Sequence, residues 1–253
     1  MLTMRQSCIN TYEKCMYKGL IEWGDVGSTG RADEEELTNK YARVGIIFHE
    51  VMEHWGRKKL QDIDTPILDM HNMLDTKLDS EDKSLFENEA EIEKYRVSLH
   101  EQLDCTKEAC HLEEIKPLGV EVTFNIDDIF LDFIKCTGTI DRIDGNMKEK
   151  RIRLGDYKTG KVYTKKELTN NIQATLYCLA FYKQFGFMPE AFDFYFTKFK
   201  KVKTIMITPE FIKDGTLRIM DIWYKIKLKQ FEPNCTSVYF CKNFCDVYSR
   251  KEC

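Results

Sequence analysis

The sequence has no apolar run approaching the roughly 18 residues a membrane helix needs. Its first twenty residues, MLTMRQSCINTYEKCMYKGL, have no continuous apolar core of the secretory-signal kind. There is no internal repeat and no low-complexity segment, which excludes solenoid and collagen-like architectures. There is also no excess of basic charge. With 38 Lys and Arg against 42 Asp and Glu the formal net charge is −4. A globally basic nucleic-acid coat is therefore excluded, while a local basic groove is not. At 253 residues with 43% hydrophobic content, the chain is long enough to bury roughly three-quarters of its unfolded surface. It reads as one large globular domain, or one domain with a helical insertion. The expected setting is cytoplasmic (the host cytoplasm were the gene carried by a phage).

Ten cysteines are present, four of them from residue 235 onward. A secreted disulfide scaffold is usually short and carries a leader, so clustered thiols here point to a metal or iron–sulfur site. Cys136 and Cys178 lie in apolar patterns and read as small buried side chains. Cys105 and Cys110 stay open.

Along the chain, residues 5–20 read as one helix carrying Cys8 and Cys15, and 21–40 as a mobile loop. Residues 41–57 carry a helical apolar stripe at Val44, Ile47, Phe48, Val51 and Trp55. Residues 60–104 are polar helices on one side of the core. Strands are expected at 118–125, 129–143 and 151–158, with Asp144-Gly145-Asn146 as a turn signal. A helix at 166–185, a strand pair at 191–198 and 202–207, and a helix at 208–230 follow. The tail from 231 is aromatic and Cys-rich. The order predicts a mixed α/β core with a helical cap, divided into a helical N-terminal part (1–104), a sheet core (115–207) and a C-terminal segment (208–253).

The informative stretch runs from Gly138-Thr-Ile-Asp141 to Asp156-Tyr157-Lys158-Thr-Gly-Lys161. Alternation along a strand puts Asp156 and Lys158 on one face. A hairpin centred near Lys148 and Glu149 sets Asp141 opposite Asp156, with Cβ atoms about 5 Å apart. Two carboxylates that close need a cation, and hard oxygen ligands with open positions describe a Mg²⁺ or Mn²⁺ site. Lys158 beside them would stabilise charge on a phosphate. Gln173 and Tyr177 lie four apart on a predicted helix and share a face. An isolated D-x-K is usually a solvated hairpin, but here the elements occur together and in order. The segment His49-Glu-Val-Met-Glu53-His54 also invites a zinc-protease reading. Both the H-E-x-x-H and the inverted H-x-x-E-H pattern fail by one residue, about 100° of helix, and that reading is set aside.

Taken together these residues resemble the PD-(D/E)XK nucleases of the RecB type, closest to small exonucleases related to CRISPR-associated adaptation nucleases and phage exonucleases. The G-x-x-x-H element is matched by Gly45 to His49, G-x-x-D by Gly138 to Asp141, D-x-K by Asp156 and Lys158, and Q-x-x-x-Y by Gln173 and Tyr177. The resemblance implies a restriction-endonuclease-like mixed sheet flanked by helices. It implies that His49, Asp141, Asp156 and the Tyr157 carbonyl bind Mg²⁺ or Mn²⁺, and that Lys158 is the catalytic lysine. Gln173 and Tyr177 would orient the site and the DNA, and Glu121 would stand behind it or serve a second metal.

The cysteines resemble the iron–sulfur branch of that family, which places one ligand near the N-terminus and three near the C-terminus. Cys15, Cys241, Cys245 and Cys253 match, although C-x3-C-x7-C here departs from the commoner C-x2-C-x5-C. Cys235 or Cys8 could replace one of them. A 4Fe–4S cluster, or a structural zinc with the same thiolates, would join the two chain ends into a cap against a loop-closure cost of about 5 kcal/mol.

Two basic stretches fit a DNA path: Lys158, Lys161, Lys165 and Lys166, and Lys198 to Lys203 with Tyr195 and Phe196 nearby. Lysine contacts to phosphate give sequence-independent binding, and aromatics stack exposed bases. For 198–203, lysines guarding a sheet edge are an equal reading. The expected function is a metal-dependent DNA exonuclease acting on single strands or DNA ends in recombination, repair or CRISPR-type processing, with no membrane partner. Self-association or a recombination or CRISPR protein partner is allowed for. The rivals are a non-catalytic DNA-end-binding or assembly subunit with the same fold, and a zinc-stapled interaction protein.

Overall fold

A computed structural model describes residues 2–24, 39–126, 134–233, 241–242 and 245. In chain order its elements are β1 (Leu2–Arg5), α1 (Gln6–Lys14), α2 (Met16–Trp23), α3 (Lys40–Leu60), α4 (Ile67–Asp79), α5 (Glu89–Ala109), β2 (Gly119–Ile126), β3 (Ile134–Asn146), β4 (Arg151–Lys158), α6 (Lys165–Thr169), α7 (Ile172–Phe185), β5 (Ala191–Phe196), β6 (Lys201–Met206) and α8 (Pro209–Lys227). The beginning of the strand expected at 129–143, most of the 21–40 loop, and Cys235 and Cys253 lie outside the described residues. Among the described residues no helix is long and apolar enough to cross a membrane.

Six strands form one mixed sheet in the order β1-β3-β4-β5-β6, with β2 on the other side of β3. β1–β3 and β4–β5 are parallel and the remaining pairs antiparallel. On one side of β3, β1 covers only as far as Thr137, and β4 begins pairing only at Arg142. Residues 138–141 thus face a fork between two neighbours, and the Gly138–Asp141 motif occupies it.

Helices cover both faces. Phe192, Phe194 and Phe196 of β5 point into a core with Leu154, Ile140, Leu176, Phe181 and Ile222, from β4, β3, α7 and α8. Tyr157 and Tyr195 point the other way, into a core with Phe48, Val51, Trp55, Leu74 and Leu103 from α3, α4 and α5. This is the alternation of a strand buried on both faces. The expected stripe of α3 is buried at Val44, Ile47, Phe48, Val51 and Trp55.

Several local expectations are corrected. Residues 5–20 form two helices, not one. Cys15 is extended (φ −159°, ψ 115°) and its sulfur accepts from the Lys18 backbone N–H. The break lets α1 fold back on α2 with the Tyr12 ring laid on Gly19, where a Cβ would sit 2.2 Å from it. The 166–185 helix is likewise two, separated at Asn170 and Asn171, because Asn171 caps α7 through the Ala174 N–H. Strand β1 has no counterpart in the sequence reading; it is a four-residue parallel edge. Asp144-Gly145-Asn146 is still strand, and the reversal falls at 147–150. Gly145 sits at φ +119°, with a would-be Cβ 2.0 Å from the Arg151 carbonyl oxygen.

Candidate active site

The β3–β4 hairpin has the expected register: Arg142 pairs with Gly155 and Asn146 with Arg151. One step beyond the last pair, Asp141 stands across from Asp156. There the ladder stops and a side chain takes over, since Asp141 Oδ2 accepts the Tyr157 N–H at 2.8 Å. Both carboxylates are buried, Asp141 at 7% and Asp156 at 3% exposure, so neither is a solvated hairpin residue.

His49 arrives from α3, one turn beyond Gly45. One ring nitrogen, Nε2, lies 3.0 Å from the Tyr157 carbonyl oxygen, and Nδ1 lies 3.3 Å from Asp141 Oδ2. A carbonyl only accepts, so Nε2 carries the proton and the Nδ1 lone pair faces a carboxylate oxygen. Burial holds the imidazole pKa below its usual value, with Lys158 adding to the effect, against Asp156 and the Tyr157 carbonyl. Burial pushes the Asp141 carboxyl well above the ordinary range, and the Asp156 and Glu121 charges push it further. Glu121 enters from β2 at the unusual φ of +47°. Burial raises it to about 7, with Glu53 and Asp156 adding to the shift. One donor atom each from His49, Glu121 and Asp141 can be chosen so that all lie within 4.8 Å of one another.

Asp156 faces a different set. Its Oδ2 pairs with Lys158 Nζ at 2.7 Å, and its Oδ1 accepts from Gln173 Nε2. Burial alone would lower the Lys158 pKa. Asp156, Tyr163 and Asp141 outweigh it and hold the ammonium above the ordinary lysine value. The Tyr177 ring lies on Gly138 and edge-on to Phe124, with centroids 5.3 Å apart. At 6% exposure Tyr177 presents no open stacking face.

The motif residues that converge are therefore His49, Asp141, Asp156, Tyr157, Lys158, Gln173 and Tyr177, with Glu121 brought in beside His49 and Asp141. A cleft of about 440 Å³ opens next to them, lined by Ala42, Gly45, Ile46, His49, Glu50, Glu53 and Glu121. Lys161, Lys165 and Lys166 are exposed at the start of α6, and Lys161 pairs with Glu167. The second basic stretch fits DNA less well than expected. Tyr195 is buried with its hydroxyl accepting from Arg142 at 2.6 Å, Phe196 is in the core, and Lys200 pairs with Glu108. The lysines of β6 line a sheet edge.

Sequence reasoning missed Arg142. The residue is 1% exposed, and its guanidinium donates to Asp144 (2.7 Å), the Tyr157 hydroxyl (3.0 Å) and the Tyr195 hydroxyl (2.6 Å). It fixes β3, β4 and β5 from the face behind the Asp156–Lys158 pair. A lone Arg in G-T-I-D-R gives no signal of this; only burial on both sheet faces does.

A donor set of imidazole and carboxylates, with like charges raising one another, suits a hard divalent cation. The deciding comparison is over length. The family model described as PD-(D/E)XK nuclease superfamily matches residues 4–247. The chain belongs to the PD-(D/E)XK nuclease superfamily. No curated protein matches it. The mixed sheet flanked by helices is consistent with the restriction-endonuclease-like fold of that superfamily, and its members' metal-dependent hydrolysis matches the donor set of this cleft.

Among the thiols, Cys8 and Cys136 are wholly buried, each pushed up to about 12, chiefly by burial. Cys110 is also pushed up to about 12 by burial, beside Arg142. Cys178 is core as well. Cys15 is half-buried at the α1–α2 break, beside a cleft of about 570 Å³ bordered by Arg218, Asp221, Gln230 and Pro233. Cys241 and Cys245 are half-buried and one helical turn apart, the Cys245 N–H donating to the Cys241 carbonyl at 3.2 Å.

Proposed function

We propose that the protein is a Mg²⁺- or Mn²⁺-dependent exonuclease acting on single-stranded DNA or DNA ends, in recombination, repair or CRISPR-type processing. The observation that carries this reading is the buried Asp141 and Asp156 on neighbouring strands, with Lys158 beside one and His49 and Glu121 beside the other. His49, Asp141 and Glu121 would hold the ion, joined by Asp156 and the Tyr157 carbonyl. The bound ion would polarise a phosphate oxygen and lower the pKa of a water. Asp156, itself held by Gln173, keeps the Lys158 ammonium charged beside the site, where it would stabilise charge growing on the phosphate. The Tyr157–His49 contact fixes the imidazole so that its free lone pair faces Asp141. Lys161, Lys165 and Lys166 would bind the DNA backbone without reading sequence.

The thiols Cys15, Cys241, Cys245 and Cys253 are proposed to hold a 4Fe–4S cluster, with zinc as the alternative metal. Anaerobic purification with iron and sulfide analysis separates the two. The same sample, assayed with Mn²⁺ on end-labelled linear and on circular DNA, tests the activity. Release of label from linear DNA alone supports an exonuclease. Tight DNA binding without turnover would instead favour an end-binding subunit.

A further inference from the structure

Far along the sequence from the nuclease motifs, α4 and α5 each carry the same five-residue pattern: His71-Asn-Met-Leu-Asp75 and His100-Glu-Gln-Leu-Asp104. In both, His and Asp lie four apart and share a face. The two patterns cross-pair. His71 Nε2 lies 3.0 Å from Asp104 Oδ1, and His100 Nε2 lies 2.9 Å from Asp75 Oδ1. The two Nδ1 atoms meet 2.5 Å apart. The rings are 19° from parallel with centroids 4.6 Å apart, hardly less than that distance plus the two ring radii, the most it could be. The nitrogens therefore point at each other within nearly one plane.

Carboxylates accept from both Nε2 atoms, so each Nε2 carries its proton and both Nδ1 lone pairs are turned inward. Arg96 donates to Asp75 at 2.7 Å. Burial would raise the Asp75 carboxyl, but Arg96 and His100 outweigh it and keep it ionised. Two inward lone pairs need a cation between them. An imidazole whose outer N–H is held by a carboxylate is the usual form of a metal-bound histidine, and here it occurs twice about one axis.

We propose that His71 and His100 bind a transition-metal ion such as Zn²⁺ through their Nδ1 atoms, with Asp75 and Asp104 as the orienting carboxylates. Zinc–nitrogen bonds of about 2.0–2.1 Å in a tetrahedron set the two nitrogens roughly 3.3 Å apart. The rings need to open by less than about 1 Å, a small shift for side chains that are 19% and 28% exposed. Water or another small ligand would complete the coordination. The ion would pin α4 to α5 in the helical layer behind the nuclease cleft. It is independent of the cleft and of the thiols.

The chain has only five histidines, so ring ¹⁵N spectra of the full-length protein can be assigned by variant. The test is titration with Zn²⁺. The expected result is that the Nδ1 resonances of His71 and His100 shift together. The H71Q/H100Q variant should bind one Zn²⁺ fewer per chain and show a smaller rise in Tm with Zn²⁺ than the parent. D104N should keep the site but weaken it about 10–100-fold. Two results would overturn the proposal. One is ring signals at 71 and 100 that follow pH but stay fixed in excess Zn²⁺, which would make the shared cation a proton. The other is an unchanged Zn²⁺ count in H71Q/H100Q. Neither outcome bears on DNA cleavage, which is read separately.

Discussion

Lys158 and Asp156 share a strand face and a 2.7 Å ion pair, and a positioned cation of this kind is worth about 10²–10³-fold in rate. Lys158→Ala is expected to lose at least that much DNA cleavage while the far-UV CD spectrum stays that of the parent. Glu121 supplies a pH signature. Its carboxyl moves from an ordinary 4.5 to about 7 in the folded, metal-free protein. The folded state then holds a proton that the unfolded chain has released. Stability should fall as pH rises from about 4.5 to 7. In EDTA, E121Q should flatten that fall in Tm, and Mg²⁺ or Mn²⁺ should reverse it in the parent. At this scale most of the candidate site's convergence was legible, because D-x-K, G-x-x-x-H and Q-x-x-x-Y are short spacings that a strand or helix turns directly into shared faces, and a hairpin brings Asp141 to Asp156. Arg142 was not, because its role depends on Tyr157 and Tyr195, and the strand order that makes β4 and β5 neighbours is not written locally.

The packing of β2 and α7 against β3 depends on close approach at Gly138, where a Cβ would lie 2.7 Å from the Phe124 ring and 3.1 Å from the Tyr177 ring. Gly138→Ala should cost about 1–3 kcal/mol, read from urea unfolding. It should also push Tyr177 and hence α7 outward, lowering cleavage further than the stability loss explains. Arg142 ties three strands through buried donors. Arg142→Leu leaves Asp144 buried without its partner and should cost about 3–5 kcal/mol. α3 was legible because its apolar stripe is long enough to decide helix from strand, and the β3–β4 hairpin and the β5–β6 pair because two β-rich runs are parted by a short polar stretch. The breaks at Cys15 and Asn171 were not. Tyr12 packing on Gly19 and the Asn171 cap override a helical pattern that otherwise runs through.

At the level of the whole molecule, one mixed sheet carries aromatic layers on both faces, and His49, Glu121, Asp141, Asp156 and Lys158 gather where β4 splays from β3. That fork explains why the motif residues, spread from Gly45 to Tyr177, come together beside one cleft. The sandwich itself was only partly legible. β5 is buried on both faces, but nothing in its sequence says that α3–α5 cover one face and α7–α8 the other. The account turns on two facing carboxylates and an adjacent ammonium cutting DNA with a divalent ion. Its most direct test is release of label from 5′- and 3′-end-labelled linear DNA by parent and Lys158→Ala protein, with and without Mn²⁺. The parent should release label only with the metal, and Lys158→Ala should release almost none while still binding DNA. No release by the parent at any Mn²⁺ or Mg²⁺ concentration, or equal rates for both proteins, would contradict it.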